Sequence, residues 1–265
     1  KLMELNASVG EMDPVEYLAK THQWEAMVIC GRAMIQYAAR NPELAREQAA
    51  AETDETRKRD LEVLAGILDR VPAQPPETFH DCLQFHWMVE VTAHFFAHCG
   101  NGSGARFDQI WWPYYEADMK AGRITREEAL EMVECLFLKI QDVGMSPEWP
   151  VVFSATSGFD LGYTFDICGS DGYDKDLSND LSCIIMEALA NIHINQPTPT
   201  VRYHRDIDPV VVERAIDLNR MGMGHPSWHN EDLLEEWGLI RGWPLEDAKR
   251  AQAACCMANN IPGRT

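Results

Sequence analysis

The sequence predicts an α/β fold in which a helical amino-terminal half precedes strands that alternate with helices. In residues 1–145, apolar side chains recur every three or four positions, which is the period of an amphipathic helix. In residues 146–265, short runs of β-branched and aromatic residues alternate with helical segments. That alternation is typical of parallel strands joined by helical crossovers. We therefore expect one domain over residues 1–265, with the helical part packed on a barrel or sheet.

Capping residues and prolines divide the first half into four expected helices. Ser, Thr, Asp and Asn stabilise helix starts because their side chains accept hydrogen bonds from free backbone amides, and proline fits the first helical turn. Asp13-Pro14 follows this pattern, and Thr125 with Glu128 forms a capping box. The expected helices run over residues 13–40, 41–70, 77–98 and 125–142.

The second half alternates between strand and helix. The expected strands run over residues 151–154, 163–168, 200–204 and 226–228. The expected helices run over residues 179–191, 208–221, 231–237 and 245–253. Because reactive groups of parallel α/β folds cluster at the carboxyl ends of strands, the candidate sites lie in the segments that follow strands. These segments are 171–176, 202–204, 228–232 and 255–260.

Composition and charge exclude several classes of protein. Of 265 residues, 46% are hydrophobic and 25% are charged, which is an ordinary globular mixture. The net charge of −19 repels phosphate backbones, so we expect no nucleic-acid partner. No apolar stretch approaches the roughly 18 residues of a membrane span, so no membrane partner is expected. The chain has neither a start Met nor a signal-peptide pattern, and we expect an internal fragment of a longer protein.

Cysteine and histidine spacing argues against a metal site. The eight cysteines form no CxxC motif and have no histidine at zinc-finger spacing. His94 and His98 share one helix face, but without a nearby carboxylate we expect packing or capping there rather than metal ligation. Five cysteines are expected to be small buried side chains in a reducing cytoplasm, namely those at positions 30, 82, 135, 168 and 183.

Three polar segments have structural interpretations. The acidic loop 171–176 lacks the Gly and Glu of an EF-hand, so a solvated turn is expected. The glycine-rich loop 100–104 follows no strand and precedes no Gly-Lys-Ser/Thr, so no phosphate site is expected. His204 and Arg205 follow an expected strand, and they either line a pocket or pair with acidic neighbours.

The adjacent pair Cys255-Cys256 is the sharpest local feature of the sequence. Small residues precede the pair, and the segment 257–263 after it cannot continue a helix. A thiol held on a tight turn among apolar neighbours stays protonated, because such surroundings disfavour the thiolate. That environment suits hydrogen-atom chemistry better than ionic nucleophilic attack, while two buried structural cysteines remain the alternative.

Eight segments carry a resemblance to a known family. They lie, in order, at residues 76–85 (PETFHDCLQF), 106–109 (RFDQ), 114–116, 122–129, 169–182, 196–204, 221–231 and 245–248. In sequence and spacing they resemble the glycyl radical enzymes of the pyruvate formate-lyase-like group. The resemblance covers about residues 76–263 and implies a ten-stranded α/β barrel. This chain would be its central part, with a mainly helical portion at 1–145 and a barrel portion at 146–265 that ends at the cysteine loop.

The resemblance implies that one cysteine carries a thiyl radical. In the family, a glycyl radical near the carboxyl terminus oxidises a loop cysteine, and the thiyl removes a hydrogen atom from the substrate. The family's GCVEP motif falls on residues 255–259, which assigns the radical to Cys256. Cys255 is a second candidate, because the formate-lyase subgroup uses a Cys-Cys pair. The glycyl motif is not in this sequence, so no cofactor is expected on this chain; a separate radical S-adenosylmethionine iron–sulfur activase would install the radical.

Departures from the family pattern favour one subgroup. The dehydratases, choline lyases and decarboxylases of the family place an acid/base Glu two residues after the cysteine. This sequence has Ala258 at that position. Addition of a hydrocarbon to fumarate moves no proton, and the residues around Cys256 are similar to those of alkylsuccinate and benzylsuccinate synthases. The resemblance then implies fumarate and an n-alkane or alkylbenzene as substrates, an activating enzyme, small accessory subunits, a homodimer of catalytic subunits and an anaerobic cytoplasm.

The expected substrate-binding residues follow from the same interpretation. Trp149, Phe153 and Trp228 are expected to wall a dry apolar pocket, with core packing as the alternative. Arg202 or Arg264 is expected to bind fumarate carboxylates, because arginine pairs with carboxylates through two parallel hydrogen bonds. Two other functions stay open: a formate-lyase-like acyltransferase or another glycyl radical lyase, and a non-catalytic α/β scaffold with structural cysteines.

Overall fold

The structure is a computed structural model that describes residues 10, 12–92, 105–143, 163–173, 175–254 and 258–261. The chain divides into two compact units, Lys1–Pro76 and Glu77–Thr265. The expectation that residues 1–265 belong to one domain stays a prediction. Among the described helices, none is long and apolar enough to span a membrane.

The first unit contains the helices α1 (Pro14–Ala38), α2 (Asn41–Ala51) and α3 (Glu55–Leu68). Asp13 caps α1 as predicted, since its side chain accepts from the amides of the first turn. The single helix expected over 41–70 is wrong, because two helices occupy that range. Glu52 has an extended backbone that ends α2, and Asp54 caps α3 through the amides of Thr56 and Arg57.

Three helices begin the second unit: α4 (Phe79–Val91), α5 (Phe107–Ala121) and α6 (Arg126–Val143). The predicted capping box of α6 is confirmed. The Thr125 amide donates to the Glu128 carboxylate over 2.8 Å, and the Glu128 amide donates to the Thr125 hydroxyl over 3.1 Å. A second capping box, formed by Thr78 and Asp81, starts α4.

The described sheet is parallel, in the order β1 (Thr164–Cys168), β2 (Thr198–Tyr203) and β3 (Ser227–Asn230). The crossover helices are α7 (Asp180–Ile192) between β1 and β2, and α8 (Pro209–Arg220) between β2 and β3. This arrangement confirms the predicted parallel strands with helical crossovers. The strand expected over 151–154 lies outside the described residues, and the ten-stranded barrel stays a prediction.

The chain continues from β3 into α9 (Glu231–Ile240), α10 (Leu245–Ala248) and the antiparallel strands β4 (Gln252–Ala254) and β5 (Ala258–Asn260). The helix expected over 245–253 is therefore wrong beyond Ala248. The alanine-rich sequence favours a helix locally, but pairing of β4 with β5 overrides that preference.

The core of the second unit is aromatic and lies between the sheet and its helices. The rings of Phe107 and Phe165 stack with centroids 4.3 Å apart, and Trp111 and Phe137 pack around them. All four side chains are buried, and each contributes roughly 1.5–3 kcal/mol by the usual scale for buried apolar side chains.

The cysteines divide into buried and exposed groups. Cys82 and Cys168 are buried as predicted, and Cys183 is partly buried. For Cys30 and Cys135 the prediction of burial is wrong, because both are exposed. Helical periodicity places apolar residues near them in sequence, but their own positions face away from the packed side of the helix.

Candidate functional site

The two faces of the parallel sheet differ in chemistry. Since side chains alternate along a strand, partners in parallel register share a face. Phe165, Ile167 and Val201 lie in the apolar core with the helices. The opposite side, here called the polar face, carries Thr164, Asp166, Thr198, Thr200, Arg202, Ser227 and His229. The polar face therefore carries the charged side chains and most of the polar side chains of the sheet.

Arg202 is the central charge of the polar face. Its side chain is buried, with 3% of the residue exposed. Nε donates to Oε1 of Glu231 over 2.7 Å, and Nη1 lies 3.5 Å from Oδ2 of Asp166. Nη1 also donates to the backbone carbonyl of Ala251 over 2.5 Å. A buried guanidinium is tolerated because carboxylates and a carbonyl replace its water.

Glu231 links this arginine to the loop that follows β1. Its Oε2 accepts from the Ser170 amide over 2.8 Å, and the residue is the first of α9, where the helix dipole favours a negative charge. Gly169 fits between these groups only because it has no side chain. A Cβ there would lie 2.5 Å from Oε1 of Glu231, and its φ of +85° also favours glycine.

Arg106 holds the same loop from the other side of β1. Its Nη1 donates to the Ser170 carbonyl over 3.1 Å, and its Nη2 donates to the Cys168 carbonyl. Its backbone forms a parallel bridge with Asp166. Burial lowers the pKa of Arg106, and the neighbouring Arg202 adds to this lowering. The neighbouring carboxylates oppose this lowering and stabilise the charged form of Arg106.

Asp108 and Cys168 form a buried pair at the end of β1. Oδ2 of Asp108 accepts from the Cys168 amide over 2.7 Å and from the Ser182 hydroxyl over 2.6 Å. Burial raises the pKa of Asp108, and it raises the pKa of the Cys168 thiol well above its ordinary value. Cys168 therefore remains a thiol, and it has a positive φ of 63°.

A polar cleft adjoins the network, and Arg202, His204, Arg205, Glu231 and Lys249 are among the residues that line it. The two alternatives left open for His204 are both correct, since its Nε2 also lies 3.2 Å from Oδ1 of Asp176. The expectation of a solvated turn over 171–176 needs correction at Asp176, whose carboxylate is only partly exposed and contacts His204. It also accepts from Ser178 and from the Asp208 amide.

The segment before β4 is fastened to the loop after β1. Lys249 Nζ donates to the Gly172 carbonyl over 2.5 Å and lies 4.0 Å from the centroid of the Tyr173 ring. The Tyr173 hydroxyl donates to Glu246 over 2.7 Å. These contacts, together with that of Ala251, hold the root of the β4–β5 hairpin beside the polar face.

The predicted radical cysteines, Cys255 and Cys256, lie between β4 and β5 in the sequence. They belong to residues 255–257, which are outside the described residues. Ala254 pairs with Ala258, so the register of the hairpin is defined on both sides of the pair. The assignments of Cys255 and Cys256 stay predictions.

The predicted substrate-binding residues do not all share one site. Trp228 is in register with Val201 on the helix side, is 38% exposed, and donates from Nε1 to Asn219 of α8 over 2.7 Å. Arg202 lies on the opposite face. Trp149, Phe153 and Arg264 lie outside the described residues. The sheet thus separates Trp228 from Arg202.

The sequence alone gives little indication of which residues contact Arg202. Arg106 and Asp108 stand in the RFDQ motif and Glu231 ends the motif at 221–231, but no local pattern marks Asp166 or indicates that Glu231 contacts Arg202. Glu231 is 29 residues from Arg202, and the Ala251 carbonyl is 49 residues away. Among the described residues, no group of three His, Cys, Asp or Glu side chains has a geometry that could hold a metal ion.

Comparisons with known proteins agree on one family. The model of the pyruvate formate lyase-like family matches residues 2–265. The chain is 31% identical to an isethionate sulfite-lyase of Nitratidesulfovibrio vulgaris, over 99% of this chain and 32% of that protein. It is 28% identical to a trans-4-hydroxy-L-proline dehydratase of Clostridioides difficile, over 98% of this chain and 34% of that protein.

Solved structures give the same result. A B12-independent glycerol dehydratase from Clostridium butyricum superposes with a TM-score of 0.87 at 26% identity, over 99% of this chain and 33% of that chain. The chain therefore spans about a third of the length of the relatives it matches.

Proposed function

Because the chain belongs to the pyruvate formate lyase-like family, we propose that the full-length protein is a glycyl radical enzyme whose Cys256 carries the reactive thiyl radical. The register of the family motif on residues 255–259 supports this assignment. A glycyl radical, once installed by a separate radical S-adenosylmethionine activase, supplies the oxidation of the cysteine. Everything else in the reaction is binding, orientation and exclusion of water by the protein.

We propose fumarate addition as the specific reaction. The Cys256 thiyl takes a hydrogen atom from a C–H bond of the hydrocarbon, which leaves a thiol and a carbon radical. The carbon radical adds to the double bond of fumarate and forms a new C–C bond. The adduct radical then takes a hydrogen atom from the thiol, which gives a substituted succinate and restores the thiyl. Atoms and electrons balance, and no proton is transferred.

The observation that carries this proposal is the residue two positions after Cys256. It is Ala258, the first residue of β5, and alanine has no group that could act as acid or base. Elimination of water or sulfite moves protons as well as hydrogen atoms, whereas the addition does not. The other predicted partners, which are small accessory subunits and a second catalytic subunit, and the predicted anaerobic cytoplasm, belong to the same proposal.

A second candidate is elimination of the dehydratase or sulfite-lyase kind. The names of two relatives, isethionate sulfite-lyase and trans-4-hydroxy-L-proline dehydratase, favour it. Such a reaction would need a general base other than residue 258. The acyltransferase alternative would need both Cys255 and Cys256.

The test uses the activated full-length enzyme under exclusion of oxygen. It is supplied with fumarate together with an n-alkane or toluene, and substituted succinates are measured by mass spectrometry. We expect product only when both substrates are present, none with Cys256→Ala, and normal yield with Cys82→Ala, whose thiol is buried in α4. Turnover by Cys256→Ala would contradict the thiyl assignment. Conversion of isethionate or hydroxyproline without fumarate would establish the second candidate instead.

A further inference from the structure

A buried guanidinium is one of the groups that hold the root of the β4–β5 hairpin. Ala251 immediately precedes β4, and its carbonyl accepts from Nη1 of Arg202 over 2.5 Å. Arg202 belongs to β2, so the contact fixes the start of the hairpin relative to the sheet. Both Ala251 and Arg202 are buried. A charge-assisted hydrogen bond of this kind is shorter and stronger than a neutral one.

The guanidinium is itself held on its other edge. Glu231 accepts from Nε of Arg202 and, through its second oxygen, from the Ser170 amide. Gly169 approaches so closely that a Cβ there would meet both Glu231 and Arg202. The Arg202 side chain is therefore held at Nε by Glu231 and at Nη1 by the Ala251 carbonyl.

We propose that Arg202 is a positioning residue for Cys256, and this inference rests on the proposed function. Cys256 follows Ala251 by only five residues in the sequence, so the position of Ala251 limits the positions that the Cys256 sulfur can reach. Transfer of a hydrogen atom requires the sulfur and the substrate carbon to be in near contact, and a displacement of about 1 Å costs on the order of a hundredfold in rate. Arg202 acts by fixing that distance.

This role differs from the substrate-binding role predicted from sequence. A carboxylate that pairs with arginine through two parallel hydrogen bonds needs two nitrogens with free N–H groups, whereas Nε and Nη1 of Arg202 already donate to Glu231 and Ala251. Positioning affects the rate of the chemical step, while ligation affects substrate affinity. The two roles therefore separate in steady-state kinetics.

The experiment compares Arg202→Lys and Arg202→Met with Arg220→Met in the full-length enzyme. Arg220 is an exposed arginine of α8 and serves as the matched control. After activation, the glycyl radical is quantified by electron paramagnetic resonance, and kcat and KM are measured for the substrate that the enzyme converts. We expect normal radical yield, a fall in kcat of at least tenfold and a KM within about twofold for both Arg202 variants. Arg220→Met should match wild type.

Hydrogen exchange gives a second readout that does not depend on turnover. Amides of residues 251–261 should exchange at least tenfold faster in Arg202→Lys, while those of α7 should not change. An unchanged kcat, or a raised KM at constant kcat, would overturn the proposal, and the second result would establish Arg202 as a substrate ligand. If Arg202→Met does not fold, Arg202→Lys decides.

The two proposals fail in different ways. Turnover by Cys256→Ala would refute the radical function whatever Arg202 does. An inactive Cys256→Ala together with fully active Arg202 variants would refute only the positioning role.

Discussion

The two faces of the three-stranded sheet are held by different kinds of contact. On the helix side, Phe165 and Ile167 of β1 are completely buried among aromatic rings. On the polar face, Asp166 and Arg202 are just as buried but are held by ion pairs and hydrogen bonds. Apolar packing is non-directional, while charged contacts fix atoms at defined distances.

The difference separates the side chains that stabilise this unit from those that fix its geometry. Ion pairs in a low-dielectric environment gain little net stability, because the charges lose their water. Their retention on the polar face is therefore better explained by geometry than by stability. Burial of apolar side chains on the helix side is therefore the main source of stability for the sheet, including its polar face.

The largest expected effect is on the helix side. Phe165→Ala removes the ring that stacks on Phe107, and should lower the free energy of unfolding by about 3–5 kcal/mol. The matched change on the polar face is Thr164→Val, since the buried Thr164 hydroxyl has no hydrogen-bond partner among the described residues. That variant should stay within about 0.5 kcal/mol of wild type or be slightly more stable. Denaturant unfolding measures both, and equal losses would show that the faces do not differ.

A smaller effect is expected where the two faces meet, at Cys168. Its positive φ costs an L-residue roughly 1–2 kcal/mol but costs glycine almost nothing. Cys168→Gly should therefore be about 1 kcal/mol more stable than Cys168→Ala. In the helical position Cys82 the order should reverse, because glycine destabilises helices by about 1 kcal/mol relative to alanine. The same order at both positions, measured by denaturant unfolding, would exclude backbone strain at Cys168.

The smallest effect concerns pH on the helix side. His86 packs edge-on against Phe107 and Trp111, and burial lowers its pKa although Glu90 opposes the shift. The folded state therefore binds fewer protons than the unfolded state just below pH 6.5, so stability falls as the pH drops through that region. His86→Gln should weaken this pH dependence, measured by denaturant unfolding between about pH 7.5 and pH 5.5. The exposed His193→Gln is the control, and an equal slope in His86→Gln and wild type would contradict the assignment.

Local features of the fold could be predicted from sequence because their causes are local. Asp13, Asn179 and Asp208 each cap the helix that follows, and each acts on amides within three residues. Asp54 caps α3 in the same way. The alanine-rich sequence before it favours a continuous helix, so the break between α2 and α3 is not apparent from the sequence. The helix expected at 245–253 failed for another reason, since the pairing of β4 with β5 is decided outside the segment itself.

The candidate site could be predicted only in part. The cysteine pair stands out because of its neighbours in sequence, and the strand ends that carry Arg202 and His204 follow from strand alternation. The function of Arg202 depends on partners far along the chain, and composition gives no information about them. Trp228 illustrates the same limit, because a one-residue step along β3 decides which face a side chain joins.

The fastening of the hairpin root also constrains the order of folding. Its contacts join residues separated by 49 positions in the case of Arg202 and Ala251, and by 77 in the case of Gly172 and Lys249. Contacts between such distant positions form only after long loops have closed, which is the slow part of folding. Among the described residues, the contacts that hold the root of the hairpin therefore form only after β1, β2 and α9 have assembled. We expect Ala251 to reach its place beside the sheet late in folding.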